Sequence, residues 1–426
     1  MHVYNIDLTI TNILKKYHQK GVKYIEVNIN RLKENLIKLG WIGYDGKNKN
    51  IPYGDEGITR IAYSEEYDKA DELVSKLMEK AGLEVYHDPV GNLFGTLCSD
   101  KRDEHIMIGS HIDTVPRGGM FDGSLGVLGA LETVQILSEN NYSNNYNLTV
   151  AAFIGEEGTE IGGTLGSRCF TGDIELNKQE INFFKDKGIN YEDINFNSID
   201  KKNIKNYLEL HIEQGKILQK ENTPIGVVQG IVGIARYKVT VIGEANHAGT
   251  TPMELRDDAL VKASRLITKV KKTVEDVEGG LVGTVGKIKA EPGAVNVIPG
   301  RVDFTLELRD MEKEKMELVI DKIKAGFADN ELIIEDDFYE ESVYLNEQVQ
   351  DEIINSADKL NYDYKEMISG AGHDANSLSK ITSAGMIFVP SNKGISHSPE
   401  EWTDWVDVKK GIEVLLETIK SLDKSN

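Results

Sequence analysis

The sequence is poor in cysteine and lacks long apolar runs. Its 426 residues include two cysteines, Cys98 and Cys169, too few for a disulfide framework, which favours a reducing, cytoplasmic location. No apolar run approaches the ~18 residues of a membrane-spanning helix. The first twenty residues mix charged and apolar positions without a small-residue cleavage site, so we expect no secretory signal. A disulfide-rich secreted domain and a membrane-spanning protein are therefore disfavoured.

Basic residues are also in deficit. The chain has 49 Lys and Arg against 70 Asp and Glu, a formal net charge of −21. Nucleic acids and anionic membranes are bound by basic surfaces, so neither is an expected partner. The length is sufficient for two domains, each with its own core.

Apolar strands that alternate with helical segments predict an α/β domain. Segments 105–110 and 148–157 resemble buried strands, and segment 124–140 between them has the apolar spacing of a helix. This order implies a parallel sheet, in which functional residues gather at the carboxyl ends of the strands.

Residues 234–341 follow a different pattern, β-α-β-β-α-β, which is typical of a ferredoxin-like α+β unit. The terminal strands of such a unit can pair closely, so it can be inserted into a larger domain. We therefore predict a discontinuous catalytic domain at 1–224 and 341–426, interrupted by a smaller domain at 225–340.

Histidine or acidic residues directly follow apolar runs at five places. These are GSHID (109–113), MFDGS (120–124), FIGEEG (153–158), ELHIEQG (209–215) and GISHSPEE (394–401). Each alone has an ordinary structural explanation, such as a hydrogen-bonded histidine, an Asp-Gly turn or a solvated acidic pair. Carboxylates at buried strand ends are nevertheless costly unless they are paired or bound to metal. Together, three histidines and two acids match the ligand count of a two-cation site with one bridging carboxylate.

These segments, with NHAGTTPM (246–253), NVIPG (296–300) and SGAGHDA (369–375), resemble the dinuclear metal amidohydrolases of the M20 peptidase superfamily. The resemblance spans about 58–420 and is to the hydantoinase/carbamoylase branch: N-carbamoyl-L-amino acid hydrolases, β-ureidopropionases and allantoate amidohydrolases. It implies an α/β, mostly parallel-sheet dinuclear metallohydrolase domain. It also implies that the inserted ferredoxin-like domain serves as a dimerisation and lid domain, so the chain is expected to form a homodimer.

The resemblance implies two divalent metal ions per subunit, Zn²⁺ or Mn²⁺, with Co²⁺ as a further option. His111 and His211 would hold one ion, Glu157 and His397 would hold the other, and Asp122 would bridge them.

Two further acids take part in the implied chemistry. Asp113 would accept a hydrogen bond from the far nitrogen of His111 and fix its tautomer. Glu156 would be the general base, which takes a proton from the attacking water and later gives it to the leaving nitrogen. Glycines between 118 and 126 would let the backbone turn tightly enough for His111 and Asp122 to reach one metal pair.

A separate set of residues is implied in substrate binding. Arg309 would capture a substrate carboxylate, although from the residues alone a surface ion pair with Glu307 or Asp310 is equally open. His247 would stabilise the oxyanion, and His247 and Asn296 would both act in the active site of the neighbouring subunit.

Three more positions would contact the ureido and carboxylate ends of the substrate: Gln214, Gly372 and His373. For His373, a purely structural role remains open. Glu160 and Ile161 stand where many relatives carry an Arg-Phe pair, and this difference bears on substrate choice.

The predicted reaction is hydrolysis of an N-carbamoyl-L-amino acid to the amino acid, CO2 and ammonia. Allantoate is the first alternative substrate, favoured by RIAYSEEY (60–67), whereas 291–300 and 386–402 favour a carbamoylase. N-carbamoyl-β-alanine is the next alternative, and an aminoacylase or dipeptidase of the same superfamily is more distant. A metal-free binding protein is disfavoured because all five ligands and the base are present.

Overall fold

The computed structural model describes residues 25–158, 162–174, 176, 178–194, 199–328 and 330–425. They form two compact units. The first contains the residues up to Gln229, Leu345–Met367 and the residues from His373 onward, and the second contains Gly230–Tyr344 and Ile368–Gly372. The predicted insertion at 225–340 did not include the short segment Ile368–Gly372. Glu160 and Ile161 lie outside the described residues, as do residues 1–24.

The first unit is built on a sheet with a parallel centre. Its strands are β1 (Glu84–His87), β2 (Leu93–Leu97), β3 (His105–His111), β4 (Asn147–Phe153), β5 (Ile204–Ile212), β6 (Ile225–Ile231), β14 (Tyr364–Ser369) and β15 (Ser383–Val389). The order is β1-β2-β4-β3-β5-β15-β6, with β14 beside β6. The four central strands β4, β3, β5 and β15 are parallel, whereas β1, β2 and β6 pair antiparallel at the edges.

Helices cover this sheet, which explains why its central strands are apolar along most of their length. The helices are α1 (Ile29–Gly40), α2 (Glu65–Lys80), α3 (Ser124–Glu139), α4 (Leu165–Thr171), α5 (Lys178–Asp186), α6 (Ile217–Glu221), α9 (Glu347–Leu360), α10 (Asp374–Leu378) and α11 (Trp405–Leu422). Helix α3 is buried along almost its whole length because it packs against β3, β5, α1 and α11. Its amino terminus directly follows the segment that contains Asp122.

The second unit has the predicted β-α-β-β-α-β order. Its elements are β7 (Gly233–Ile242), α7 (Ala259–Glu275), β9 (Val282–Glu291), β11 (Arg301–Asp310), α8 (Lys313–Lys324) and β12 (Leu332–Glu340). The strands form an antiparallel sheet in the order β12-β7-β11-β9. Alternate residues of β11 are buried with apolar residues of both helices in a separate core.

Short strands complete the second unit. Strands β8 (Asn246–His247) and β10 (Val297–Ile298) form a two-stranded antiparallel ribbon, and β13 (Val343–Tyr344) pairs with the last residues of β6. The mixed α/β class with a parallel sheet centre is therefore confirmed. No helix in the described part of the chain is long and apolar enough to cross a membrane.

Candidate active site

Neighbouring strands of the first unit end in histidine and acidic residues at one edge of the sheet. Strand β3 ends at His111, and β5 places His211 one residue before its end. Strand β4 lies beside β3 and leads into Glu156 and Glu157. Because β4, β3 and β5 are parallel neighbours, their carboxyl ends gather these side chains in one place.

The five expected metal ligands lie around Asp122. His111 Nε2 is 3.5 Å and His211 Nε2 is 3.2 Å from the same oxygen, Asp122 Oδ1. On the other side, His397 Nε2 is 3.5 Å from Asp122 Oδ2 and 3.1 Å from Glu157 Oε2. The ligand atoms form two groups of three that share Asp122, each group within 4.8 Å.

The tautomers of two histidines suit metal binding. His111 Nδ1 lies 3.1 Å from the carbonyl oxygen of Asp113, and His211 Nδ1 lies 2.9 Å from that of Ile212. A carbonyl oxygen only accepts, so in the neutral ring Nδ1 carries the proton and Nε2 presents a lone pair. His111 Nε2 is fully buried and has no hydrogen-bond partner among the described residues. Since a buried polar atom without a partner is costly, a cation at this position would satisfy it, and the residues fit a metal centre.

The crowding of acidic side chains in the cluster also supports a cation site. Burial raises the pKa of Glu156 well above its ordinary range, against the opposing effect of His111 and with the help of Glu157. Burial and the charge of Asp122 also raise the pKa of Glu157. Acids that resist ionisation together are stabilised as carboxylates when a cation is placed among them.

Glycine is required where the chain turns from β3 into α3. Gly123 has φ +60°, and a Cβ built there would lie 2.4 Å from the His111 ring. At Gly119, a Cβ would lie 2.3 Å from the carboxyl group of Glu401. The glycines of this segment therefore provide space for buried side chains as well as conformational freedom.

The backbone carbonyl and the side chain of Asp113 have different partners. Its backbone carbonyl, rather than its carboxylate, faces His111 Nδ1; the nearest carboxylate oxygen is 3.7 Å away. The carboxylate instead accepts three consecutive backbone N–H groups, from Gly155 (3.1 Å), Glu156 (3.3 Å) and Glu157 (3.1 Å). These amides lie in reach because the chain turns at Gly155, where φ is 74°. Asp113 thus holds the turn that carries both glutamates.

The two glutamates face different histidines. Glu156 Oε2 is 3.5 Å from His111 Nε2, whereas Glu157 Oε2 is 3.1 Å from His397 Nε2. The structure therefore brings Glu156 to the edge of the cluster without making it a member of either group of three. This arrangement is compatible with a ligand role for Glu157 and a proton-transfer role for its neighbour.

Two of the expected substrate residues lie beside the cluster. Gln214 Nε2 donates to Asp122 Oδ2 at 2.7 Å, and its Oε1 is buried without a hydrogen-bond partner in the part of the chain that the structure describes. Gln214 also has a left-handed backbone, φ 57°, a conformation that is concentrated at functional sites. The His373 ring packs 4.6 Å from the His211 ring, and burial with this neighbour lowers the pKa of His373 well below its ordinary value. Gly372 belongs to the second unit.

Arg309 forms an ion pair within the second unit, as the residues alone had allowed. Its Nη2 lies 2.8 Å and its Nε 2.9 Å from Glu307 Oε1, and its Nη1 donates to the carbonyl of Gly370 at 2.7 Å. A substrate carboxylate would have to replace part of this arrangement.

His247 and Asn296 are brought together on the β8–β10 ribbon. Both are exposed. His247 Nδ1 accepts N–H groups from Gly249 (3.0 Å) and Thr250 (3.2 Å), so the ring proton is on Nε2, which is then a hydrogen-bond donor. The backbone carbonyl of Asn296 accepts from Ala248 N at 2.9 Å, which fixes the two loops together.

Sequence reasoning missed Glu401, although it lies in the quoted segment GISHSPEE. Glu401 Oε1 accepts the backbone N–H groups of Phe121 (2.9 Å) and Asp122 (3.0 Å). The Ser396 hydroxyl lies within hydrogen-bond distance of both Asp122 Oδ2 (2.7 Å) and Glu401 Oε2 (3.0 Å). Burial, with the charge of Asp122, raises the pKa of Glu401 to about 7. An acid four residues after a proposed ligand was the signal in the sequence.

Comparison with known proteins identifies the family of the chain. Residues 107–421 match the sequence model of peptidase family M20/M25/M40. An N-carbamoyl-L-amino-acid amidohydrolase of Pseudomonas sp. (strain NS671) is 41% identical over 93% of this chain and 99% of its own length. An allantoate amidohydrolase of Bacillus subtilis (strain 168) is 35% identical over 86% of this chain and 93% of its own length.

Among solved structures, an amidase of the hydantoinase/carbamoylase family from Burkholderia multivorans is similar with a TM-score of 0.81 and 29% identity. The match covers 93% of this chain and 98% of that protein. The family match and the identities to named relatives agree with one another. The chain therefore belongs to the M20/M25/M40 peptidase family and is a hydrolase of C–N bonds.

Proposed function

We propose that this amidohydrolase cleaves the ureido C–N bond of an N-carbamoyl-L-amino acid and releases ammonia, CO2 and the free amino acid. The observation that carries the proposal is the arrangement around Asp122. Two histidines approach one of its oxygens, a histidine paired with Glu157 approaches the other, and Glu156 lies beside them. The name of the Pseudomonas relative supports this substrate class.

The proposed cofactor is a pair of divalent ions, Zn²⁺ or Mn²⁺, with Co²⁺ as a further option, held by His111, His211, Asp122, Glu157 and His397. When bound, the ions would polarise the substrate carbonyl and lower the pKa of the attacking water.

Glu156 performs the proton transfers in the proposed mechanism. Its carboxylate takes a proton from the water as oxygen adds to the carbamoyl carbon, and it returns that proton to the departing nitrogen, which leaves as ammonia. The remaining carbamate then loses CO2 to give the amino acid. Asp113 keeps Glu156 in place because its carboxylate accepts the backbone N–H groups around that residue.

Several further residues are proposed to contact the substrate. Arg309 would exchange part of its pairing with Glu307 for the substrate carboxylate, which suits its planar guanidinium. His247 would donate its Nε2 proton to the oxygen that becomes negative during attack. Gln214 Oε1, which is buried and has no partner within the described ranges, would accept an N–H of the ureido group. Asn296, Gly372 and His373 would complete the contacts.

A substrate panel tests the proposed reaction. Ammonia release would be measured, after reconstitution with Mn²⁺ or Zn²⁺, for several N-carbamoyl-L-amino acids, their D-enantiomers, allantoate and N-carbamoyl-β-alanine. The proposal expects the highest kcat/KM for an N-carbamoyl-L-amino acid. Preferential turnover of allantoate or of N-carbamoyl-β-alanine would overturn it in favour of that substrate.

The protein is further proposed to act as a homodimer in the cytoplasm. Met253, Leu255 and Val295 are exposed apolar residues on the loops of the β8–β10 ribbon, close in sequence to His247 and Asn296. Exposed apolar side chains grouped in this way are typical of a protein interface. Both cysteines are free, which supports a reducing location.

Complementation tests the dimer. His247→Ala and Glu156→Gln should each be nearly inactive alone, because each homodimer has the same lesion in both sites. After mixing and subunit exchange, half of the dimers are mixed and half of their sites intact, so activity should recover to roughly a quarter of the parent value. No recovery despite proven exchange would show that His247 does not serve the partner's site.

A further inference from the structure

Arg60 is a buried cation that the proposed mechanism does not use. It begins the segment RIAYSEEY, which the sequence analysis associated with substrate choice. The side chain is only 1% exposed. Among the described residues, no acidic side chain forms an ion pair with it. A buried guanidinium without a carboxylate partner is costly, so its surroundings have to satisfy its N–H groups in another way.

Four of the five N–H groups of Arg60 have acceptors inside the first unit. Nε donates to the carbonyl of Ile112 at 2.6 Å, and Nη1 donates to the carbonyls of Leu39 and Ile42, both at 3.0 Å. Nη2 donates to the hydroxyl of Ser124 at 3.1 Å. The guanidinium is therefore committed to the interior of the protein and is not available to a substrate.

Two of these acceptors flank proposed metal ligands. Ile112 directly follows His111, and Ser124 comes two residues after Asp122. The planar guanidinium thus links the residue that follows His111 to a residue just beyond Asp122. The backbone of Arg60 reinforces this link, since its N–H donates to Thr114 Oγ1 at 2.9 Å and its carbonyl accepts from Thr114 N at 3.0 Å.

Arginine suits this task because its donors are fixed in one plane, whereas lysine has a single ammonium group on a flexible stem. The acceptors come from three places in the chain. Leu39 and Ile42 lie at the end of α1 and just after it, Ile112 directly follows β3, and Ser124 is the first residue of α3. A lysine at position 60 keeps the charge but cannot satisfy acceptors that are separated in this way.

We propose that Arg60 is a positioning residue that holds His111 and Asp122 at the separation required for metal binding. The inference rests on the proposed metal site, and it assigns to RIAYSEEY a role in building that site. Groups that orient metal ligands typically change metal affinity or activity about 10–100-fold when they are removed.

Metal titration tests this role without reference to turnover. Metal-free parent protein, Arg60→Met, Arg60→Lys and Ser124→Ala would be titrated with Co²⁺ while the visible absorption of the bound ion is recorded. We expect Arg60→Met to weaken Co²⁺ binding about 10–100-fold. Arg60→Lys should recover part of this loss. Ser124→Ala removes one acceptor and should weaken binding roughly three- to tenfold.

A matched control separates positioning from general stability. Glu132 lies in α3 and forms a partly buried ion pair with Arg31 at 2.5 Å. Glu132→Gln should lower the thermal unfolding midpoint and leave Co²⁺ affinity within about twofold of the parent, because this pair is not linked to the ligands. An equal loss of Co²⁺ affinity in Glu132→Gln would overturn the positioning role.

The remaining outcomes are distinguishable. Parent protein that binds no Co²⁺ would refute the proposed metal site itself. Parent protein that binds Co²⁺, with Arg60→Met and Ser124→Ala both within twofold of it, would refute only the role of Arg60. If Arg60→Met does not fold, Ser124→Ala decides the matter alone, because it removes one hydroxyl from a residue that can still start the helix.

Discussion

The two units differ in how much charge they bury and in how much apolar surface they expose. The first unit buries many ionisable side chains, among them Asp122, His211 and Glu401. In the described part of the second unit, Asp310 is the one charged side chain that is buried. The second unit exposes more of its large apolar side chains than the first, among them Met253 at 76% and Leu255 at 71% relative exposure.

Each of these features is costly for an isolated chain. Buried charge without compensation destabilises a fold, and exposed apolar surface promotes association. Departures from simple folding rules are expected where function requires them. Under the proposed function, the first unit carries the chemistry and the second unit contacts a second copy of the chain. The predictions below test this division.

The largest effect is expected from the proposed base in the first unit. Glu156→Gln keeps the size of the side chain but cannot accept a proton, so kcat should fall ~10²–10⁴-fold. Metal content should be unchanged, whereas Glu157→Gln should lose metal. The measurement is steady-state ammonia release combined with metal analysis. Near-parental turnover of Glu156→Gln would show that Glu156 is not the base. Metal loss in that variant would indicate that Glu156 is the metal ligand and Glu157 the base.

A smaller effect is expected from the apolar surface of the second unit. A variant that combines Met253→Ser, Leu255→Ser and Val295→Ser should be monomeric in sedimentation velocity and lose most of its activity, since the residues on the β8–β10 ribbon would lack their partner subunit. Leu318→Ser, an exposed apolar position of α8, is the matched control and should remain dimeric. A dimeric triple variant, or an active monomer, would contradict this division of roles.

The variant Arg309→Lys tests whether a residue of the second unit binds the substrate. Arg309→Lys keeps the charge but loses the planar fork, so kcat/KM should fall by about tenfold for substrates that carry a carboxylate. Carbamoyl compounds without a carboxylate should be little affected. Arg301→Lys, on the same strand and paired with Asp303 at 2.7 Å, is the control. Equal losses for both kinds of substrate would indicate a structural role for Arg309.

The smallest effect is expected from an exposed charge pair of the first unit. A hydrogen bond from His87 to Asp71 raises the pKa of His87. A raised folded-state pKa stabilises the protein below the unfolded value of about 6.5, and this contribution is lost as the pH rises through the folded value. The unfolding midpoint of His87→Gln should therefore approach that of the parent at alkaline pH. A difference between the unfolding midpoints of His87→Gln and the parent that does not change with pH would contradict a stabilising effect of the His87–Asp71 pair.

Local sequence patterns predicted much of the first unit. The strand that ends at His111 and the helix that begins at Ser124 lie where the apolar spacing predicted them. The expected metal ligands also come together, because each follows a strand or lies in a segment that returns to the same edge of the sheet. The β-α-β-β-α-β order of the second unit is likewise a pattern of sequential elements.

Contacts between distant side chains were not predictable in this way. Glu401 contacts the backbone of Asp122, 279 residues earlier in the chain, and Arg60 contacts Ser124, 64 residues later. Which atom of Asp113 faces His111 was not predictable, because the carboxylate of Asp113 accepts three amides of a neighbouring turn, whose position depends on tertiary packing. Ile368–Gly372 joins the second unit for the same reason.

The central claim is that the cluster around Asp122 is a two-metal hydrolytic centre. The most direct measurement is ammonia release from an N-carbamoyl-L-amino acid as metal-free protein is titrated with Mn²⁺ or Zn²⁺. The account predicts negligible activity without metal and a rise that ends at two equivalents per chain, because two groups of ligands share one carboxylate. Full activity in the presence of a chelator, or a plateau at one equivalent, would contradict it.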